Sequence, residues 1–120
     1  MNKIIEKLTC TKGAGGIARY ENDNYYQVNK NAGPNPWFIS TLWVAEYYIK
    51  KATSEKELTS AIEIFEWVAN KALPSGVLSE QINPYTGEPL SVAPLTWSHA
   101  GFVTAVVKYL EKIEFLNKKI

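Results

Sequence analysis

Side chains that could bind a ligand or transfer a proton are concentrated in two polar stretches, residues 13 to 35 and residues 73 to 95. The first stretch contains Arg19, Tyr20, Glu21, Asp23, Tyr25 and Tyr26, and the second contains Glu80, Gln81, Asn83, Tyr85 and Glu88. Aromatic faces that stack on rings, beside polar groups that hydrogen-bond hydroxyls, are the usual composition of a sugar site. Turn-rich surface loops collect the same residue types for solvation, so composition alone leaves both interpretations open.

Each polar stretch precedes a strongly apolar segment with the period of a helix. Asn35 followed by Pro36, a cap residue before a proline at the first helical position, predicts a helix that runs to about Lys51. Apolar and aromatic side chains occupy nearly its whole circumference, so this helix needs neighbours on all sides. Ser54 and Glu57 form a capping box for a second, amphipathic helix, and the short turn between the two predicts an antiparallel hairpin.

The second polar stretch is longer than a structureless loop usually is inside a compact domain, which points to a functional role. A last helix is predicted to start near Thr96 and to carry one broad apolar face. That face contains His99, Phe102, Val103, Val106, Val107, Leu110 and Ile113. The first polar stretch has no helical period and is interpreted as a loop with a short strand around residues 17 to 20.

The composition argues against several function classes. Thirteen basic and twelve acidic side chains leave a formal net charge of +1, and the lysines are scattered, so no nucleic acid or membrane is expected as a partner. The single cysteine, Cys10, lacks the neighbours of a metal or redox motif, and no metal or cofactor is expected. The N-terminal apolar run, interrupted by Glu6 and Lys7, is too short for a secretory signal, which makes the cytoplasm the expected location.

Three stretches of the chain follow one another: GGIARYENDNYY, NPWFISTLW and LPSGVLSEQINPYTGEPLSVAPLTWSHA. In this order and spacing they closely resemble the C-terminal part of the catalytic domain of family 15 glycoside hydrolases, the glucoamylases and glucodextranases. Several long motifs in one order are far more specific than a single short pattern. The resemblance implies an all-α, partial (α/α)6 toroid: residues 1–120 as one C-terminal fragment with about three helices and two long active-site loops.

The resemblance also implies roles for individual residues. Glu80 lies at the position of the family's general base, the carboxylate that activates water in an inverting hydrolysis. Arg19, in the family's G-x-x-R-Y segment, and Tyr25 lie at substrate-binding positions. Trp37, the tryptophan of NPW, lines the pocket, supports it, or is a plain core anchor at the start of a helix.

The family's general acid belongs to a segment upstream of the matched region, and no residue of this chain corresponds to it. Three other loop carboxylates could substitute for it: Glu21, Asp23 and Glu88. Such groups are more often solvated or capping than tuned as acids, so no substitute is expected.

The resemblance therefore implies the C-terminal part of an inverting glycoside hydrolase that releases glucose from the ends of α-glucans or small α-glucosides. Inversion needs two carboxyl groups about 6.5–9.5 Å apart. With only the base present, this chain is expected to be inactive alone, and whether it is an enzyme by itself stays open. The expected ligand is an α-glucoside or oligosaccharide. The expected partner is a second polypeptide that completes the toroid; the alternative is a noncatalytic helical relic that self-associates or binds carbohydrate weakly.

Overall fold

Four α-helices form the framework of the computed structural model, which describes residues 1–118. They are α1 (Asn2–Leu8), α2 (Phe38–Lys51), α3 (Thr59–Lys71), which follows a 3-10 turn at Lys56–Leu58, and α4 (Thr96–Lys118). The helix-rich class predicted from the sequence is confirmed. The predicted number of about three is too low by one, because the short N-terminal segment also forms a helix. An isolated bridge between Thr9 and Ile17 joins the end of α1 to the first polar stretch.

Four strands of two residues each join the two polar stretches in one antiparallel sheet. They are β1 (Ile17–Ala18), β2 (Pro36–Trp37), β3 (Gln81–Ile82) and β4 (Pro89–Leu90), in the order β1-β2-β3-β4. Trp37 pairs with Ile17 on one side and with Gln81 on the other. The predicted strand near residue 17 is confirmed, whereas the other three strands were not predicted. Strands this short have no alternating pattern of polar and apolar residues, so the local sequence does not indicate which strands pair.

The helix predicted to begin at Asn35 and Pro36 begins two residues later, at Phe38. Pro36 is the first residue of β2, a position at which a strand tolerates proline. The Asn35 side chain does not cap α2 but donates a hydrogen bond to Oε1 of Gln81 at 3.0 Å. The prediction is wrong because the Asn-Pro signal that opens many helices also suits the entry to a strand.

The helices α2 and α3 form the predicted antiparallel hairpin. Phe38 and Leu42, near the start of α2, share a core cluster with Val68 near the end of α3. Ile49, near the end of α2, shares a second cluster with Leu58, just before α3 begins. More than half of the residues of α2 are buried, and the sheet, α3 and α4 pack against it. The expectation that α2 needs neighbours on all sides is met in part, since Trp43 remains 45% exposed.

The helix α4 packs through part of the predicted face. Phe102 and Ile113, on that face, pack against the two core clusters, whereas Val103, Val107 and Leu110 are exposed. The residues of α4 that are buried are Ser98, Gly101, Ala105 and Leu116. The missing side chain of Gly101 allows α4 to approach α2 closely, since a Cβ there would lie 2.5 Å from Cδ1 of Ile39. Periodicity identifies apolar sides of a helix but does not say which of them a neighbour covers.

Gly16, just before β1, allows the indole of Trp67 to pack against the backbone. Its φ is +85°, and a Cβ there would lie 2.5 Å from Cζ2 of Trp67. Gly33 has a similar φ of +71°, but a Cβ at this position would meet no heavy atom within 4 Å. Gly33→Ala should therefore cost only the left-handed backbone strain, roughly 1–2 kcal/mol, and Gly16→Ala about 1–3 kcal/mol more from overpacking. Urea unfolding of both variants measures the difference, and equal losses would contradict the contact.

Candidate active site

The backbone of Glu80 is held from both sides where the second polar stretch enters β3. Its N–H donates to the carbonyl of Val92 at 3.0 Å, and its carbonyl accepts from the N–H of Phe38 at 3.3 Å. Phe38 is the first residue of α2, so the base candidate is tied directly to the start of the most buried helix. This anchoring gives Glu80 a defined position, although it lies outside the ends of the strand.

The carboxylate of Glu80 is oriented by two donors on the same oxygen. Oε1 accepts from Oγ of Ser91 at 2.9 Å and from Nε2 of Gln81 at 2.9 Å. Among residues 1–118 no group donates to Oε2. The arrangement therefore presents an oriented carboxylate with one oxygen still able to accept a hydrogen bond.

The amide of Gln81 links this carboxylate to the first polar stretch. Gln81 is fully buried, and its Oε1 accepts from Nδ2 of Asn35 at 3.0 Å while its Nε2 points to Glu80. Asn35 is also buried, and its Nδ2 donates to the carbonyl of Tyr26 at 2.9 Å as well. The hydrogen bonds thus run without a break from Tyr26, in one polar stretch, to Glu80 in the other.

Arg19 is oriented by a nearly buried carboxylate. Its Nε donates to Oδ2 of Asp23 at 2.9 Å and its second nitrogen Nη2 donates to Oδ1 at 3.1 Å, a bidentate pair. Asp23 is only 2% exposed, and its Oδ1 also accepts from the N–H of Tyr25 at 3.1 Å. The hydrogen bond to Asp23 raises the pKa of the Arg19 guanidinium, an effect that partial burial opposes and the charge of Asp23 supports. Arg19 therefore carries a fixed positive charge.

Three aromatic rings surround the guanidinium of Arg19. Its Cζ lies 4.2 Å from the ring centroid of Trp37, 4.8 Å from that of Tyr20 and 5.6 Å from that of Tyr25. Tyr20 and Tyr25 are about half exposed, whereas Trp37 is 2% exposed. The burial of Trp37 argues against direct lining of a pocket and fits a supporting or core-anchoring role. Nε1 of Trp37 and Oδ1 of Asn35 are buried without a hydrogen-bond partner among the described residues.

The structure brings the four predicted site residues into one neighbourhood. Trp37 on β2 pairs with Gln81, the neighbour of Glu80, and stacks beneath Arg19. Tyr25 joins through its ring and through Asp23. Sequence reasoning gave no positioning role to Asn35, Asp23 or Ser91. Their signals are weak, because each is a common turn or cap residue whose partner lies in a part of the chain that spacing does not reveal.

The carboxylates considered as substitutes for a general acid are engaged elsewhere or lie on the surface. Asp23 accepts the bidentate pair from Arg19, and Glu21 lies 3.6 Å from Nζ of Lys7. Glu88 is exposed. His99 has the predicted structural role, since its Nε2 accepts from the N–H of Leu78 at 3.0 Å. Within residues 1–118 no cluster of three or more potential metal ligands is present, and no helix is long and apolar enough to cross a membrane.

Comparison with known protein sequences gives matches to glycosyl hydrolases. The family model described as "Glycosyl hydrolases family 15" matches residues 4–107 of this chain. An uncharacterized glycosyl hydrolase of Methanocaldococcus jannaschii is 38% identical over an alignment of 113 positions, gaps included, which covers 87% of this chain and 17% of that protein. A glucoamylase of Neurospora crassa is 26% identical over an alignment of 135 positions, which covers 79% of this chain and 21% of that protein.

A solved structure shares the fold. The family 15 glucoamylase from Hypocrea jecorina matches 92% of this chain and 25% of its own chain, with a TM-score of 0.64 and 24% sequence identity. The likeness shows that the arrangement of helices and strands described above occurs within a longer polypeptide. This chain spans about a fifth of the length of the two curated relatives and a quarter of the solved chain.

Proposed function

The chain belongs to glycosyl hydrolase family 15, and on that basis we propose that it supplies the general base of an inverting glycoside hydrolase. The substrates of the complete enzyme are the ends of α-glucans or small α-glucosides, from which it releases glucose. The geometry of Glu80 carries the proposal: two donors orient Oε1, and Oε2 has no donor among the described residues. That is the geometry a carboxylate needs to hold and deprotonate a water molecule.

In the proposed reaction Glu80 takes a proton from water while the water oxygen bonds to the anomeric carbon. The bond between that carbon and the glycosidic oxygen breaks, and a second carboxyl group protonates the leaving oxygen. Ser91 and Gln81 hold the carboxylate of the base in one orientation during the approach of the water. Because the water attacks from the face opposite the leaving group, the released glucose has an inverted anomeric configuration.

Arg19 and Tyr25 are proposed to bind the substrate beside the base. The guanidinium of Arg19 has five donors, of which the bidentate pair with Asp23 uses two and a bond from Nη2 to Oη of Tyr20 at 3.4 Å uses a third. Its two other donors suit sugar hydroxyls, and the half-exposed ring of Tyr25 offers a face or a hydroxyl to the same sugar. Trp37 supports this arrangement from below, in contact with the guanidinium.

The general acid is proposed to come from outside this chain. The carboxylates of the first polar stretch are paired with Arg19 or Lys7, and Glu88 lies at the surface. The relatives are about four to six times longer than the matched region, since it makes up 17–25% of their length. A location in the cytoplasm stays a prediction to be tested with the complete enzyme.

This chain alone should release no measurable glucose from maltooligosaccharides, isomaltose or trehalose. The physical reason is that a base without its paired acid leaves the departing oxygen unprotonated. The measurement is a coupled glucose assay on purified protein over several hours. Turnover that Glu80→Gln abolishes would overturn the prediction, whereas turnover that survives Glu80→Gln identifies a contaminating hydrolase.

A noncatalytic role is the second candidate, and the exposed apolar side of α4 is the observation that favours it. A chain of this kind would self-associate through that side or bind carbohydrate weakly. Sedimentation equilibrium distinguishes the two candidates when it is combined with the hydrolysis assay. Stable self-association, together with no gain of hydrolysis when the rest of a family 15 domain is added, would support the noncatalytic role.

A further inference from the structure

The side chain of Asn35 is buried between the two polar stretches and forms hydrogen bonds only through its nitrogen. Nδ2 donates to the carbonyl of Tyr26 at 2.9 Å and to Oε1 of Gln81 at 3.0 Å, which uses both of its hydrogens. Oδ1 is buried without a hydrogen-bond partner among residues 1–118. An unpaired buried oxygen destabilises the fold, so the two bonds from the nitrogen are what this asparagine contributes.

The carbonyl of Tyr26 determines which end of the Asn35 amide faces it. A backbone carbonyl can only accept a hydrogen bond, so that end must be the nitrogen. Tyr26 lies in a turn that the N–H of Gln27 closes by donating to the carbonyl of Asn24 at 3.1 Å. Within this turn Tyr26 has a φ of +57°, in the left-handed region that residues other than glycine rarely adopt. The direction of the Asn35 amide is therefore set by the backbone of the first polar stretch.

Asn35 in turn fixes the direction of the Gln81 amide. Because Nδ2 of Asn35 holds Oε1 of Gln81, the other end of that amide, Nε2, faces Oε1 of Glu80 at 2.9 Å. The reverse orientation of Gln81 would place Nε2 against Nδ2 of Asn35 and Oε1 against the carboxylate of Glu80. Gln81 is 0% exposed, so solvent cannot satisfy donors and acceptors that are mismatched in this way. One direction of the amide is therefore strongly favoured.

We propose that Asn35 is a positioning residue for the reaction, because it holds the Gln81 amide by its oxygen and keeps the nitrogen against the base. This inference rests on the proposed function of Glu80. With Oε1 held by Gln81 and by Oγ of Ser91, Oε2 is the oxygen left to accept from the water. A Gln81 amide without its anchor lets the carboxylate rotate away from the alignment that attack requires. Asn35 itself is 1% exposed and too deeply buried to contact a substrate.

Nuclear magnetic resonance of the full chain tests the orientation without any need for activity. The side-chain amide protons of Gln81 should show nuclear Overhauser contacts with the side chain of Glu80, since Nε2 lies 2.9 Å from Oε1. In Asn35→Asp the ionised side chain can only accept, so it competes with Glu80 for the Gln81 nitrogen and should weaken these contacts. Asn83→Asp is the matched control and should leave them unchanged, because Asn83 uses only its oxygen, which accepts two backbone N–H groups of a turn.

A double-mutant cycle tests whether Asn35 acts through Gln81. It uses a chimera in which this chain replaces the matched segment of the Methanocaldococcus jannaschii relative, which is 38% identical to it. Asn35→Leu keeps the approximate volume but removes the donor, and it should lower kcat by about tenfold with little change in KM. In the Gln81→Met background, which has no amide to orient, Asn35→Leu should change kcat by no more than about twofold. A merely structural role would lower stability in both backgrounds and leave kcat of the folded chimera unchanged.

The proposal is overturned if Gln81 keeps its contacts with Glu80 in the Asn35 variants that fold, as judged by circular dichroism. It is also overturned if Asn35→Leu lowers kcat equally in the two backgrounds, or if the contacts are lost while kcat stays the same, because the orientation then has no part in the reaction. A chimera that is inactive without any substitution contradicts the proposed function alone, since the contacts in the full chain report on Asn35 independently.

Discussion

Glu80→Gln in a chimera, in which this chain replaces the matched segment of the Methanocaldococcus jannaschii relative, is expected to lower kcat by about 10²–10⁴-fold. This is the usual contribution of a positioned general base. Glutamine has the same shape as glutamate, and its carbonyl oxygen still accepts from Ser91 and Gln81, so the hydrogen bonds that position residue 80 survive. What is lost is the ability to take a proton from water. The substrate should still bind, so KM is expected to change much less than kcat.

Glu88→Gln is the matched control for this experiment. Glu88 lies in the same polar stretch, but it is exposed and near β4 rather than at the base position. Its replacement should leave kcat within about twofold, as for most surface substitutions. An equal loss in both variants would show a general effect on the stretch and would contradict the assignment of Glu80, as would a Glu80→Gln variant with normal kcat.

Arg19→Ala is expected to have the second largest effect, on both stability and substrate binding. It leaves the nearly buried carboxylate of Asp23 without its bidentate partner. Loss of one member of a buried pair costs about 3–5 kcal/mol, and because a third of the Arg19 side chain is exposed we expect roughly 2–3 kcal/mol. Since folding raises the pKa of Arg19, this contribution is present at neutral pH and is lost only in strongly alkaline solution.

A double-mutant cycle separates the two effects of Arg19. Asp23→Asn removes the buried charge, so the double variant should recover most of the stability that Arg19→Ala loses in urea unfolding. Substrate binding should not recover, because the donors to the sugar are still absent. We expect KM of the chimera to rise by about 10- to 100-fold in both Arg19→Ala and the double variant. Recovery of KM together with stability would show that Arg19 acts only in the fold.

The parts of the fold with strong local signals were predictable from the sequence. The hairpin of α2 and α3 follows from apolar periodicity and a short turn, and α4 begins at Thr96 as predicted. The start of α2 was misplaced because Trp37 pairs with residues 17 and 81, which lie far from it along the chain. Val107 was assigned to the core for a different reason. The periodic spacing of apolar residues shows that Val107 lies on an apolar side of α4, but not whether a neighbouring element covers that side.

The candidate site was predictable to the level of residue types and family motifs. The resemblance singled out Glu80 and Arg19, and the structure adds the groups that orient them. Asp23 was considered as a substitute acid, but its pairing with Arg19 depends on a turn that sequence spacing does not specify. Ser91 lies eleven residues from Glu80, and only the pairing of β3 with β4 brings the two side chains together. These contacts depend on strand register, for which two-residue strands provide no sequence signal.

The small sheet also fixes the distance between the two polar stretches. Neighbouring strands lie about 4.8 Å apart. Because β2 lies between β1 and β3, the backbones next to Arg19 and Glu80 are held about 10 Å apart. Trp37 belongs to both ladders, and a displacement of β2 therefore moves Arg19 and Glu80 together. In the proposed enzyme, in which the acid comes from outside this chain, this would reduce the problem of alignment. Only the position of the acid relative to one preassembled unit would have to be adjusted.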